Sequence, residues 1–364
     1  MRKGAVVLVA AGIAAATVLS ACSSSAKKNN GGGSGKVEVG VILPDTTTSN
    51  RYTLYDAPLL KKAFDAAGIK SDIQNAKGSN TNFVSIAQSM ITEGVKVLLI
   101  DPADPATGIT VEKSAAAAGV QVIDYDRVNL GGSAKYYVSF DNEKVGEQQA
   151  TGLIACLTAK GINDPNIIML NGGTDIDNNA VLFKAGAHAV LDPLVSAGKA
   201  KIAVETDVKG WDNTVAATDF QQDFTQDPSV QGILAANDGI AGAAISTLKQ
   251  HKLQLPITGQ DATIQGIQYI LQGDQCLTIF KDVSKEADAA SKLAIDLIKG
   301  DTAAANALAT GSLKDPKNGR TIPSVLLPAE VITKSNVNDV IKAGALTKAQ
   351  ICQGITAACT AAGL

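Results

Sequence analysis

The sequence predicts an α/β fold of two successive lobes, each a parallel sheet wrapped by helices. Three observations predict it. Short apolar runs alternate with longer amphipathic stretches from residue 36 onward; the alternation begins afresh near residue 145; and polar residues recur at the C-terminal ends of the predicted strands. With 364 residues and 45% hydrophobic content, the chain is long for one domain and ample for two cores.

The elements follow in order. KVEVGVIL (36–43) reads as a strand and LLKKAFDAAG (59–68) as a helix closed by Gly68. SIAQSMITEG (85–94) is a second helix and VKVLLID (95–101) a second strand. VEKSAAAAG (111–119) and VQVIDYD (120–126) repeat the pair. Such spacing implies βαβ units whose strands are buried on both faces. The second series runs helix 145–161, strand 166–173, helix 181–194 and strands 201–208, 232–238 and 256–261, with helices between them. A helix at 285–300 and an extended segment at 321–333 could complete either lobe.

Before these elements stands an address. Arg2 and Lys3 precede an apolar run of about 15 residues, and Leu19-Ser20-Ala21 lead into Cys22. That is the pattern of a secretory signal, shorter than the roughly 20 apolar residues of a membrane-spanning helix. LSAC resembles a bacterial lipobox, so Cys22 is expected to carry lipid and become the first residue of the mature chain. The Gly/Ser-rich stretch after it reads as a tether. The expected division is signal 1–21, lipidated start and tether 22–36, first lobe 37–141 plus 282–319, second lobe 142–281 plus 320–345, and tail 346–364.

Composition excludes several functions. A formal charge of −3, near −5 once the signal is removed (30 basic against 35 acidic residues), argues against nucleic acid as a partner. Two histidines 63 positions apart, His188 and His251, rule out a multi-histidine metal centre. DIDNN (175–179) starts like a calcium loop, but Ala180 and Gly186 occupy the positions that need Gly and Glu. No G-x-S-x-G elbow occurs, and Asn30 and Val37 break the P-loop pattern around Gly35-Lys36. No metal or cofactor is expected, and no catalysis.

The polar residues at strand ends are Asp45, Asp101, Asp126-Arg127, Asp175-Asp177, Asn237-Asp238 and Gln260-Asp261. In open parallel sheets ligands bind beyond these ends. Here the chain resembles the periplasmic sugar-binding proteins of ABC transporters, ribose/xylose class. The resemblance rests on DYDR (124–127), YYVSFDNEKVGEQQA (136–150), GGTDIDNNAVLFKAG (172–186), KGW (209–211), AANDGIAGAAI (235–245), TGQDATIQGI (258–267) and LTIFKD (277–282). It implies the type I periplasmic binding fold, with Rossmann-like lobes closing over one xylose-like monosaccharide. Three crossings are implied, near 140–142, 280–283 and 318–321.

By matched motif it assigns as ligand residues Arg51 and Tyr52 (SNRY), Asp126 and Arg127, Asp177 and Asn179, Trp211, Asn237, Asp261 and Lys281. Tyr52 stands where the xylose-class pattern carries tryptophan. The chemistry is coherent: carboxylates accept from hydroxyls, cations donate, amides do both, and an indole covers the apolar ring face. The implied partners are a monosaccharide, the permease subunits of an ABC transporter and the membrane, through the lipid. The protein itself is expected to be monomeric and extracytoplasmic. The alternatives are a sugar sensor presenting its ligand state to a receptor or kinase, and a secreted carbohydrate-active enzyme using paired carboxylates.

Four further cysteines suit an oxidising compartment. Cys352 and Cys359 are the favoured pair. A straight helix would set them about 10.5 Å apart, so the bridge requires a break, expected at Gly354. Cys156 and Cys276 could be bridged or free.

Overall fold

Every residue of the strand Val97–Ile100 is buried, yet its side chains serve two different cores. Val97 and Leu99 pack with Leu60, Phe64 and Leu293, whereas Leu98 and Ile100 pack with Phe83, Met90 and Val111. Successive side chains on a strand point to opposite faces, so a continuous apolar run demands helices on both. The computed structural model describes residues 36–46, 49 and 51–364. Cys22, the signal 1–21 and the tether up to residue 35 lie outside them.

The first lobe contains β1 (Val39–Leu43), α1 (Ala57–Ala66), β2 (Ser71–Asn75), α2 (Asn80–Glu93), β3 (Val97–Ile100), α3 (Pro105–Ala117), β4 (Gln121–Tyr125) and β5 (Tyr136–Phe140). The second follows with α4 (Asn142–Ala159), β6 (Asn166–Asn171), α5 (Asn178–Ser196), β7 (Lys201–Asp207), α6 (Asn213–Gln226), β8 (Gly232–Ala235), α7 (Asp238–Gln250), α8 (Ile264–Gln272) and β9 (Leu277–Phe280). The chain returns to the first lobe for α9 (Val283–Lys299), α10 (Thr302–Leu308), β10 (Gly311–Lys314) and β11 (Thr321–Leu327). It ends in the second with β12 (Glu330–Thr333), α11 (Asn338–Lys342), α12 (Lys348–Cys352) and α13 (Thr356–Ala361). No helix among the described residues is long and apolar enough to cross a membrane.

The first sheet has the order β10-β11-β5-β4-β3-β1-β2, parallel except for β10. In the second lobe β7-β6-β8 form a parallel sheet, and β9 pairs antiparallel with β12. The alternation repeats there: Ile168 and Leu170 face Phe220 and Ile240, while Ile167 and Met169 face Leu153 and Leu191.

The chain passes between lobes three times through very short segments: at Asp141, at Lys281-Asp282 and at residues 328–329. The third differs from the expected 318–321. Residues 318–320 lie in the turn of the β10–β11 hairpin and Thr321 starts β11, which pairs parallel with β5, so the first lobe extends through Leu327 rather than ending at 319.

One other expectation changes. Residues 256–261 do not form a regular strand; their pairing is reduced to the isolated bridges Ile233–Ile257 and Gln260–Ile279, with single hydrogen bonds around them. The Thr258 hydroxyl bonds both the amide and the carbonyl of Ala235, at 2.9 Å each. The expected tail 346–364 packs on the second lobe, with Leu346, Ile351 and Cys359 buried against Ile267, Ile270 and Phe280. Cys352 and Cys359 are bonded with Cα atoms 5.8 Å apart, and the helix between them is interrupted at Gly354, whose φ is +78°. Cys156 and Cys276 are also bonded, tying α4 to the start of β9.

Candidate sugar-binding site

All ten residues assigned from the motifs line one cavity between the lobes. They reach it from strand ends. Arg51 and Tyr52 open a wide helical turn (Tyr52–Asp56) after β1, and Asp126 and Arg127 follow β4. Asp177 and Asn179 start α5, Trp211 lies in a short turn after β7, and Asn237 caps α7 after β8. Asp261 follows the bridged segment, and Lys281 sits on the second crossing. Phe183 and Gln260 also line the cavity.

Charge is arranged in pairs. Arg51 donates to Asp56 (3.0 and 2.7 Å), Glu286 (2.5 Å) and Asp126 (3.1 Å). Burial alone would weaken this guanidinium, but Asp126, Asp56 and Glu286 raise its pKa above the ordinary value. Burial would likewise raise the Asp126 carboxyl; Arg51, Lys281 and Arg127 reverse that and hold it below the usual carboxylate range. Tyr52 donates to its second oxygen at 3.1 Å. Arg127 lies 3.4 Å from Asp177, and Trp211 donates its indole N–H to the same carboxylate at 3.1 Å. Lys281 is 3.5 Å from Asp261 and stands over the rings of Phe183 and Phe140.

Three of these residues, Asp126, Trp211 and Asp261, have φ of +61°, +60° and +93°. Left-handed backbone at a non-glycine residue costs on the order of 1–3 kcal/mol and persists only when its surroundings over-determine it. At Asp126 the carbonyl accepts from Tyr137, Ser139 and Asn179, while the amide donates to Val138. Asn179 is thereby drawn into holding Asp126: its oxygen accepts from Tyr137 and Asn142, and its nitrogen donates to the Asp126 carbonyl. Asn237 gives its oxygen to the Ile240 amide as a helix cap, leaving the amide N–H₂ for a ligand. Trp211 lies so close to Gly172 that a Cβ there would enter the ring.

Other strand-end residues serve the frame. Asp175 accepts from the Gly210 amide, and Asp238 bonds Thr263 and Gln275. Asp101 is fully buried 3.8 Å from Arg127, and its burial raises its pKa. Asp45 is buried beside Asn75, which donates to its carbonyl. His188 bonds Asp192 and Glu205, and His251 packs on Phe224, both away from the cavity.

Sequence reasoning passed over Asp56, Glu286 and Phe183. Phe183 was legible, one helical turn beyond Asn179 on the same face of α5. Asp56 shares a helical turn with Arg51. Glu286 lies 235 residues from Arg51, and only the tertiary fold joins them.

What this arrangement can do is bind a small polar molecule through many directed contacts. Arg127 Nε and one terminal nitrogen are buried without a hydrogen-bond partner, in the wall of the cavity. The pattern of the periplasmic binding protein domain matches residues 39–302. The chain is 34% identical to the D-xylose-binding periplasmic protein of Haemophilus influenzae, covering 81% of this chain and 87% of that one. It is also 34% identical to the Escherichia coli protein of the same name, covering 85% and 91%. Among solved structures, a carbohydrate transporter solute-binding protein from Chloroflexus aurantiacus in complex with D-glucose superposes with a TM-score of 0.77. That protein is 28% identical, and the match covers 86% of this chain and 97% of that one. The chain therefore belongs to the periplasmic binding protein family.

Proposed function

We propose that this protein is an extracytoplasmic solute-binding lipoprotein that takes D-xylose or a similar aldose into the cleft and delivers it to an ABC permease, without covalent chemistry. The observation that carries the reading is that Arg127 Nε, though ion-paired with Asp177, and one terminal nitrogen are buried without a hydrogen bond in a cavity walled by three cations and three carboxylates. Buried donors of this kind are costly unless a ligand oxygen satisfies them. A sugar supplies hydroxyls for both signs of charge and a C–H face for Trp211. Hydrogen bonds to charged groups contribute roughly 1.5–3 kcal/mol each, so a few reach micromolar affinity, about −8 kcal/mol.

An aldose is favoured by the ligand names of the relatives above. The anchor is favoured by LSAC at residues 19–22, followed by a polar stretch. Two or more acyl chains on Cys22 would hold the protein stably at the outer face of the membrane. Titration calorimetry against pentoses and hexoses is the decisive test. A micromolar response to xylose or a close aldose is expected; silence across the panel would refute sugar binding.

A further inference from the structure

Beside the sugar cavity lies a larger hollow of about 760 Å³, walled by both lobes. The first lobe supplies Leu54, Tyr55, Pro58 and Leu59. The second supplies the start of α8 and residues 343–346, and the second crossing runs between them. More of this lining is apolar than polar, and Leu54, at 57%, is the most exposed of the large hydrophobic side chains among the described residues.

The two spaces share a partition. Arg51, Asn237, Asp261 and Lys281 line both, so it is built of side chains. Nine of the ten assigned cavity residues are buried, while the Asp261 side chain keeps 18% exposure. The cavity's least sealed wall therefore faces the hollow. Lys281 and Asp261 meet across it at 3.5 Å, an ion pair of two side chains that can part without disturbing the backbone.

We infer that the hollow is an extension of the sugar site, receiving the alkyl or aryl substituent of a glycoside whose sugar ring occupies the cavity. The inference rests on the sugar-binding reading above. A free monosaccharide presents hydroxyls and draws nothing from Leu54, Pro58 or Leu59. A second sugar ring could reach Lys62, Asn213, Gln265 and Asp282 elsewhere in the lining, but would leave Leu54, Pro58 and Leu59 facing hydroxyls. An apolar substituent leaving the ring past Asp261 finds the surface it needs, because burying apolar area is favourable in proportion to the area removed from water.

The test uses the whole protein, the free sugar that binds tightest in the panel, and both anomers of its 4-nitrophenyl glycoside. One anomer should bind about tenfold more tightly than the free sugar. Leu54→Asp and Pro58→Asp replace exposed residues, and unchanged melting temperatures will verify their folding. Each should weaken the glycoside about tenfold and leave the free sugar within about twofold. Binding of the free sugar with neither glycoside would overturn the extension alone. So would a glycoside whose affinity ignores both substitutions. No response to any free sugar would overturn the sugar reading and the extension together.

Discussion

Asp261 shows how a residue proposed to bind ligand can work against the fold that carries it. Its φ of +93° is glycine territory, and the next residue, Ala262, is also left-handed at +49°. The Asp261 amide donates to Ile279 at 2.8 Å, and the Ala262 amide to the Thr278 hydroxyl at 3.2 Å, which hold the turn. The following helix is capped by Thr263, whose hydroxyl accepts from the Gly266 amide, so the Asp261 carboxylate is not spent on a cap. Asp261→Ala should therefore lower sugar affinity at least tenfold, the cost of about 1–3 kcal/mol for stranding ligand hydroxyls and Lys281. Asp261→Gly should lose the same affinity yet melt no earlier without sugar. Relief of roughly 1 kcal/mol or more of strain offsets the roughly 0.4–1 kcal/mol that glycine adds to unfolded-chain entropy. Paired calorimetry and thermal melts check both; a Gly variant that melts well below Asp261→Ala would contradict the strain argument.

At the scale of elements, one buried carboxylate joins the start of α7 to the Asp261 turn. Asp238 accepts from the Thr263 amide and hydroxyl (2.8 and 3.0 Å) and from Gln275 (2.8 Å). Burial, with a contribution from Asp261, raises its pKa from 3.8 to about 7. Glu286, at the first turn of α9, is raised from 4.5 to about 8, again chiefly by burial, with Arg51 opposing. In both cases the folded state holds a proton that the unfolded chain has released. Stability from these groups is complete below about pH 4 and lost as pH climbs through 7 and 8. Thermal melts of the sugar-free protein should show Asp238→Asn flattening the decline between pH 5 and 7; an unchanged slope would mean that Asp238 titrates normally. Elements also mark where reading from sequence failed. The edge strand β2, SDIQN, is half-buried and polar, and β10 is exposed on alternate residues, so neither carries the apolar run that marks a central strand.

For the whole molecule, the ten cavity residues are divided across a joint. The first lobe supplies Arg51, Tyr52, Asp126 and Arg127, the second Asp177, Asn179, Trp211, Asn237 and Asp261, with Lys281 on a crossing. Three crossings of one or two residues leave few torsions to resist rotation, and a ligand touching both sides favours the closed arrangement. Small-angle scattering should give a smaller radius of gyration at saturating sugar than without it; identical curves would count against hinge closure. Much of this architecture was legible beforehand. Buried parallel strands need unbroken apolar runs, and helices between them need an apolar stripe, so the lobes were written in local periodicity. The ten cavity residues were legible because each stands in a recognisable motif at or near a strand end. The course of the third crossing was not, because 321–333 is uniformly extended and only the pairing of β11 with β5 assigns its first half to the first lobe. Nor were the links from Arg51 to Glu286, from Asn179 to Asp126, or between Cys156 and Cys276. Periodicity is a property of neighbours along the chain. Partners 53 to 235 residues apart meet only where packing brings them together, and that the tertiary structure alone decides.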